Sequence, residues 1–97
     1  PIPLYPSVTR DIALVVDQKE ESYSIIRTIK KASKRLCKEC EIFDVYQGEH
    51  VEAGKKSIAV RLSFQDLKKT LSEAEVNEAL DRILAALEKE HQAILRK

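Results

Sequence analysis

Two cysteines three positions apart, Cys37 and Cys40, are the first residues of this 97-residue sequence whose type and spacing could do chemistry. A C-x-x-C can supply half of a structural zinc site, but four ligands are needed, and only His50 and His91 could complete the set. A redox pair places its first cysteine at the start of a helix, where the dipole lowers the thiol pKa. Here the pair follows a basic helical stretch and opens a strand-like one, so two reduced cysteines partly packed near a sheet edge are expected, and no metal. Nucleophilic and acid–base chemistry has no better footing. There is no G-x-S-x-G, H-E-x-x-H or P-loop, and both histidines lie among charged residues.

The basic residues Arg27, Lys30, Lys31, Lys34, Arg35 and Lys38 form the second constellation. At helical spacing several share one face, which is either a solvated helix surface or a patch that touches phosphates without reading sequence. Net charge is only +1, so a uniformly basic nucleic-acid binder is excluded. The charge is uneven all the same: residues 1–69 hold 13 basic and 10 acidic groups, residues 70–97 hold 4 and 6.

The elements that must position these groups are readable from periodicity. After a proline-marked lead-in (Pro1, Pro3, Pro6), DIALVVD alternates with Ile12, Leu14 and Val16 on one face and Asp11, Ala13 and Val15 on the other, which predicts a strand. From Ser22, Ile25, Ile26, Ile29 and Ala32 recur at helical spacing. ECEIFDVYQG predicts a second strand, with Ile42, Asp44 and Tyr46 on one face and Phe43 and Val45 on the other. A flexible, glycine-containing loop from Gln47 to Lys56 leads to KSIAVRLSFQ, where Ile58, Val60, Leu62 and Phe64 alternate with Ser57, Ala59, Arg61, Ser63 and Gln65. LSEAEV carries a capping box, Ser72 with Glu75, and a staple of Leu71 with Val76; the helix it starts has the stripe Val76, Ala79, Leu80, Ile83, Leu87. QAILRK supplies a short last strand.

The order β-α-β-β-α-β predicts an α+β, ferredoxin-like sandwich: a four-stranded antiparallel sheet, two helices on one face, the other face open. If the first and third strands are neighbours, Arg61 and Ser63 stand beside Asp11 and Ala13 on that open face. The face is small and polar, without the stacking aromatics of an RNA-recognition motif, Tyr46 being the one exception. The turn DQKEES lacks the arginine-bearing cradle of a ferredoxin-like acylphosphatase and the glycine usual in an ACT-type sensor.

Five segments in series, spread over nearly the whole chain, resemble the C-terminal ferredoxin-fold anticodon-binding domain of the bacterial phenylalanyl-tRNA synthetase β subunit. They are Tyr5-Pro6-Ser7 with Arg10-Asp11-Ile12-Ala13; Phe43-Asp44-Val45-Tyr46 with Gly48; Gly54-Lys55-Lys56-Ser57-Ile58-Ala59; Arg61-Leu62-Ser63-Phe64-Gln65-Asp66; and Thr70-Leu71-Ser72 with Glu75-Val76-Asn77. The resemblance implies a non-catalytic module that binds the anticodon stem and loop of phenylalanine tRNA. It also implies a parent ligase of two α and two β subunits, which uses ATP and magnesium in its α subunit. Mapped onto this sequence, the RNA-contacting set is Arg10, Asp11, Ala13, Tyr46, Arg61 and Ser63, with Arg27, Lys30, Lys34, Lys55 and Lys56 as candidate phosphate contacts. The alternative is a ferredoxin-like protein-interaction or regulatory domain with no RNA partner.

Length and composition set the outer bounds. A chain of 97 residues suits a single domain, residues 1–97, with one core. No apolar run reaches membrane-spanning length, PIPLYPSVTR lacks the zones of a signal peptide, and two cysteines make no secreted disulfide scaffold, so a soluble, cytoplasmic protein is expected. With no methionine anywhere, a piece of a longer chain is expected.

Overall fold

A computed structural model describes residues 5–96; Pro1 and Pro3 of the lead-in lie outside them. The elements run β1 (Val8–Asp17), α1 (Ser22–Ala32), β2 (Cys37–Tyr46), β3 (Lys55–Phe64), α2 (Glu73–His91) and β4 (Ile94–Leu95), in the predicted β-α-β-β-α-β order. The strands form one antiparallel sheet in the order β2-β3-β1-β4. Each β-α-β unit is split, because the strand after each helix does not pair with the strand before it but leaves room for one between.

Alternation decides which face is covered. Leu14 and Val16 of β1 and Ile58, Val60, Leu62 and Phe64 of β3 point to one side and are buried, meeting Ile25 and Ile29 of α1 and Val76, Ala79, Ile83 and Leu87 of α2. Burying side chains of this size contributes about 1.5–3 kcal/mol each, so this layer carries most of the fold. Ala32 and Leu80 pack at its margin, half-buried, and Ile26 of the expected stripe is half-buried as well.

The helix ends explain the chain reversals. Ser72 accepts a hydrogen bond from the Glu75 amide while the Glu75 carboxylate accepts one from the Ser72 amide, and Leu71 and Val76 close over them, both buried. No glycine stops α2. Gln92 does so in the left-handed conformation (φ 53°), its amide donating to Glu88 and that of Ala93 to Leu87. The last carbonyls of α1, at Ala32 and Ser33, accept from the Arg82 guanidinium of α2 at 3.3 and 3.4 Å, which ties the helices together where their own hydrogen bonds run out. The loop expected over 47–56 ends at Gly54, because Lys55 and Lys56 already pair in β3, and it is tied by Gln47 to the Gln18 side chain and by the Gln18 amide to the Gly54 carbonyl.

Candidate nucleic-acid interface

The uncovered face is built from the other alternation. Pairing puts Thr9 beside Ser63, Asp11 beside Arg61, Ala13 beside Ala59, and Val15 beside Ser57. Strand β2 completes the rows from the far side: Glu39 beside Ser63, Glu41 beside Arg61, Asp44 beside Ala59, Tyr46 beside Ser57. Four of the sequence-selected residues, Asp11, Ala13, Arg61 and Ser63, therefore share one face, and Tyr46 joins them. Arg10 does not. It pairs with the buried Leu62, so it belongs to the helix side of the sheet, and its guanidinium donates to the Thr9 carbonyl at 3.2 Å.

Strand β2 departs from simple alternation. Its register slips between Cys37 and Glu39 and again between Ile42 and Asp44, so Lys38 and Phe43 are the extra residues of two bulges. The second bulge corrects the expected parity. Ile42 packs on the core side, Asp44 and Tyr46 face the open side, and Phe43 is turned so that the Arg61 guanidinium lies 4.5 Å from its ring centroid. An aromatic ring thus stands on the open face where the alternation put none.

Arg61 is held from two sides. Its Nε and one terminal nitrogen donate to the two Asp11 carboxylate oxygens, each at 2.9 Å, and Phe43 lies against its plane. The hydrogen bond from Arg61 draws the Asp11 carboxyl below its ordinary range, and Asp11 in turn raises Arg61. Tyr46 is fixed by its loop. Its hydroxyl donates to the Glu49 carbonyl at 3.0 Å, and a Cβ on Gly48 (φ 146°) would come within 2.9 Å of that hydroxyl, so glycine is what lets the chain fold back under the ring. Arg96 carries no mark in the sequence that would single it out. Its amide donates to Ala13, and its guanidinium crosses β1 to reach the Ser57 hydroxyl at 3.1 Å, 5.7 Å from the Tyr46 ring centroid. The small side chain of Ala13 leaves that path open. With Phe43 45% and Tyr46 38% exposed, the face offers two aromatic rings, each beside an arginine.

The candidate phosphate contacts divide. Arg27 and Lys30 are exposed on α1, in the layer behind the sheet, and Arg27 lies 5.4 Å from the Tyr23 ring centroid. Lys55 pairs with Asp17 at the end of the open face, whereas Lys56 has the opposite parity and gives its ammonium to the Glu20 carbonyl at 2.7 Å. Lys34 lies in the turn after α1.

Two other constellations have structural explanations. Cys37 is buried and Cys40 half-buried, both on the core side of β2 and both free thiols. Burial pushes Cys37 up, and burial with Cys37 alongside pushes Cys40 up to about 12, the reverse of what a nucleophile or ligand thiol needs. Among the described residues, no cluster of three or more His, Cys, Asp and Glu could hold a metal ion. His91 lies 2.8 Å from the Thr28 hydroxyl through Nε2 and 2.6 Å from the Glu20 carboxylate through Nδ1, a hydroxyl–imidazole–carboxylate line that sequence spacing could not reveal. Thr28 is 7% exposed in the seam between the helices, so the line works as a clasp rather than as a nucleophile with room for a substrate.

Fold and face together define an α+β domain of the ferredoxin-like class, with a sheet surface left free for a partner. The chain belongs to the ferredoxin-fold anticodon binding domain family, whose model matches residues 3–96. It is 51% identical over 96 residues to the phenylalanine–tRNA ligase beta subunit of Bacillus licheniformis and 52% identical over 95 residues to that of Bacillus subtilis. Those alignments cover 99% and 98% of this chain but only 12% of each relative. The solved structure of the de novo designed protein Foldit4 superposes with a TM-score of 0.54 at 19% identity, covering 94% of both chains, a likeness of fold alone.

Proposed function

We propose that this chain is a single non-catalytic domain that binds the anticodon stem and loop of phenylalanine tRNA as part of a phenylalanine–tRNA ligase. The observation that carries the reading is the open face itself. It presents Asp11, Arg61 and Phe43 at one place and Tyr46 with Arg96 at another, both free of the helix layer. Unstacked bases of a loop can rest on such rings while carboxylates, hydroxyls and guanidinium groups meet their edges. Aminoacylation, with its ATP and magnesium, then belongs to other parts of the parent, together with the α subunit and the rest of the β subunit as partners, in the cytoplasm. Among the described residues no helix is long and apolar enough to cross a membrane.

The experiment is a titration of this chain with phenylalanine tRNA and with a version whose anticodon is substituted, at low and moderate salt. A single module buries only about 600–1,000 Å² against nucleic acid, so weak, salt-sensitive binding is expected, weaker still for the substituted tRNA. Equal affinity for the two would leave only a phosphate-holding role. No binding at either salt would favour the protein-interaction alternative.

A further inference from the structure

The open face has too little positive charge to hold a polyanion. By register it carries Asp11, Asp17, Glu39, Glu41 and Asp44 against Lys55, Arg61 and Arg96. Groups of this kind discriminate base edges, but neutralisation of phosphates, which supplies most of the affinity for RNA, must come from elsewhere. A cleft of about 300 Å³ lies at the end of the sheet where β2 begins and β3 ends, and Lys34, Arg35, Lys38, Gln65, Asp66 and Lys68 are among its lining residues. Four cations thus meet one carboxylate, and Asp66 is engaged by the Lys68 amide at 2.8 Å. None of the four makes a salt bridge among the described residues.

The backbone is bent to make this arrangement. Lys34 and Arg35 are consecutive non-glycine residues in the left-handed region, at φ 53° and 73°, a conformation that persists only where its surroundings over-determine it. They do so here. The Ser33 hydroxyl donates to Lys30 and accepts from the Cys37 amide, Arg82 holds the Ser33 carbonyl, and the Gln65 amide donates to Leu36 at 2.9 Å. Lys38 is itself the extra residue of the first bulge in β2, and bulges re-aim side chains beside functional sites. Two independent departures from regular backbone therefore deliver lysine and arginine to one cleft, about 20 Å along the strands from the Tyr46 row.

We infer that this cleft is a second RNA site, which seats phosphodiester groups of the anticodon stem while the open face meets the loop. The inference rests on the reading proposed above but is separable from it. The test compares this chain with Arg35→Ala/Lys68→Ala, and with Lys19→Ala/Lys89→Ala as a control that removes the same charge from exposed positions outside the cleft. Affinity for phenylalanine tRNA is measured across a range of salt. The cleft variant is expected to lower the slope of log affinity against log salt by roughly 1.5, about what two lost phosphate contacts give, while keeping the ratio between native and anticodon-substituted tRNA. The control is expected to leave the slope close to that of the parent chain. Equal slopes for the parent chain and cleft variant overturn the inference, and so does an equal loss in the control. Binding of polyglutamate that the cleft variant loses, with RNA affinity unchanged, would reassign the cleft to an acidic protein segment and also overturn it. Should the cleft variant melt early, Lys34→Ala/Lys38→Ala replaces it with the same expectation. If native and substituted tRNA bind equally but the slope still falls, the anticodon reading fails and the cleft stands; if no RNA binds at low salt, both fall.

Discussion

Arg61 shows what a single residue contributes to this face. Its partners, the Asp11 carboxylate and the Phe43 ring, hold the guanidinium in place on the open face. Because the ion pair is exposed, Arg61→Ala should leave the thermal stability nearly unchanged. Binding of phenylalanine tRNA should weaken by roughly tenfold, the scale of one stacked or bidentate contact, and in the parent ligase the loss should appear in KM for tRNA rather than kcat. Arg61→Lys keeps the charge without the planar fork and should recover only part of the affinity. Unchanged binding in Arg61→Ala would remove it from the interface. Simple alternation was enough to bring Asp11, Ala13, Arg61 and Ser63 together. Arg10, mapped there by family likeness, has the parity of Ile12 and Leu14 and stands on the other face.

At the scale of elements, what was legible depended on whether the signal is local. The capping box of α2 is a four-residue motif and could be read from the sequence to the residue, whereas the left-handed Gln92 that ends the same helix has no compositional mark. A bulge is a property of a strand pair, so nothing inside ECEIFDVYQG announces that Phe43 joins the Arg61 side and Ile42 the core. The capping box yields a pH prediction. Hydrogen bonds from Lys69 and then from the Ser72 amide pull Glu75 down to about 2 from an ordinary 4.5. A depressed carboxyl adds stability that is complete above its unfolded-state pKa and is lost as pH falls through its folded one. The wild-type melting temperature should therefore decline between about pH 4.5 and 2 more steeply than that of Glu75→Gln, whose amide can still cap without titrating. Parallel curves in thermal melts from neutral pH downward would refute the assignment.

At the scale of the molecule, the two faces are coupled through its C-terminal end. Among the described residues strand β4 pairs Leu95 with Leu14 and Ile94 with Val15, and it delivers Arg96 to the open face. What holds it lies on the opposite side of the sheet: His91 clasped between Thr28 and Glu20, the turn at Gln92, and the buried Ala93. Since an ionised carboxylate only accepts, the clasp places hydrogen on Nδ1 of His91, while Nε2 meets the Thr28 hydroxyl. His91→Ala leaves the buried Thr28 hydroxyl in the helix seam without its partner, at about 1–3 kcal/mol for a buried unpaired group. That loss should not spread evenly, because the centre of β3 is flanked on both sides by long strands while β4 is a short edge that can open alone. Hydrogen exchange at the Arg96 amide, which donates to Ala13, should accelerate in His91→Ala by at least roughly tenfold more than at Val60 or Leu62, the equivalent of about 1.4 kcal/mol. Affinity for tRNA should fall alongside, because Arg96 would leave the Tyr46 row for part of the time. Equal acceleration at every amide would instead mean that β4 opens only with the whole fold, and that the clasp serves overall stability without specifically positioning Arg96.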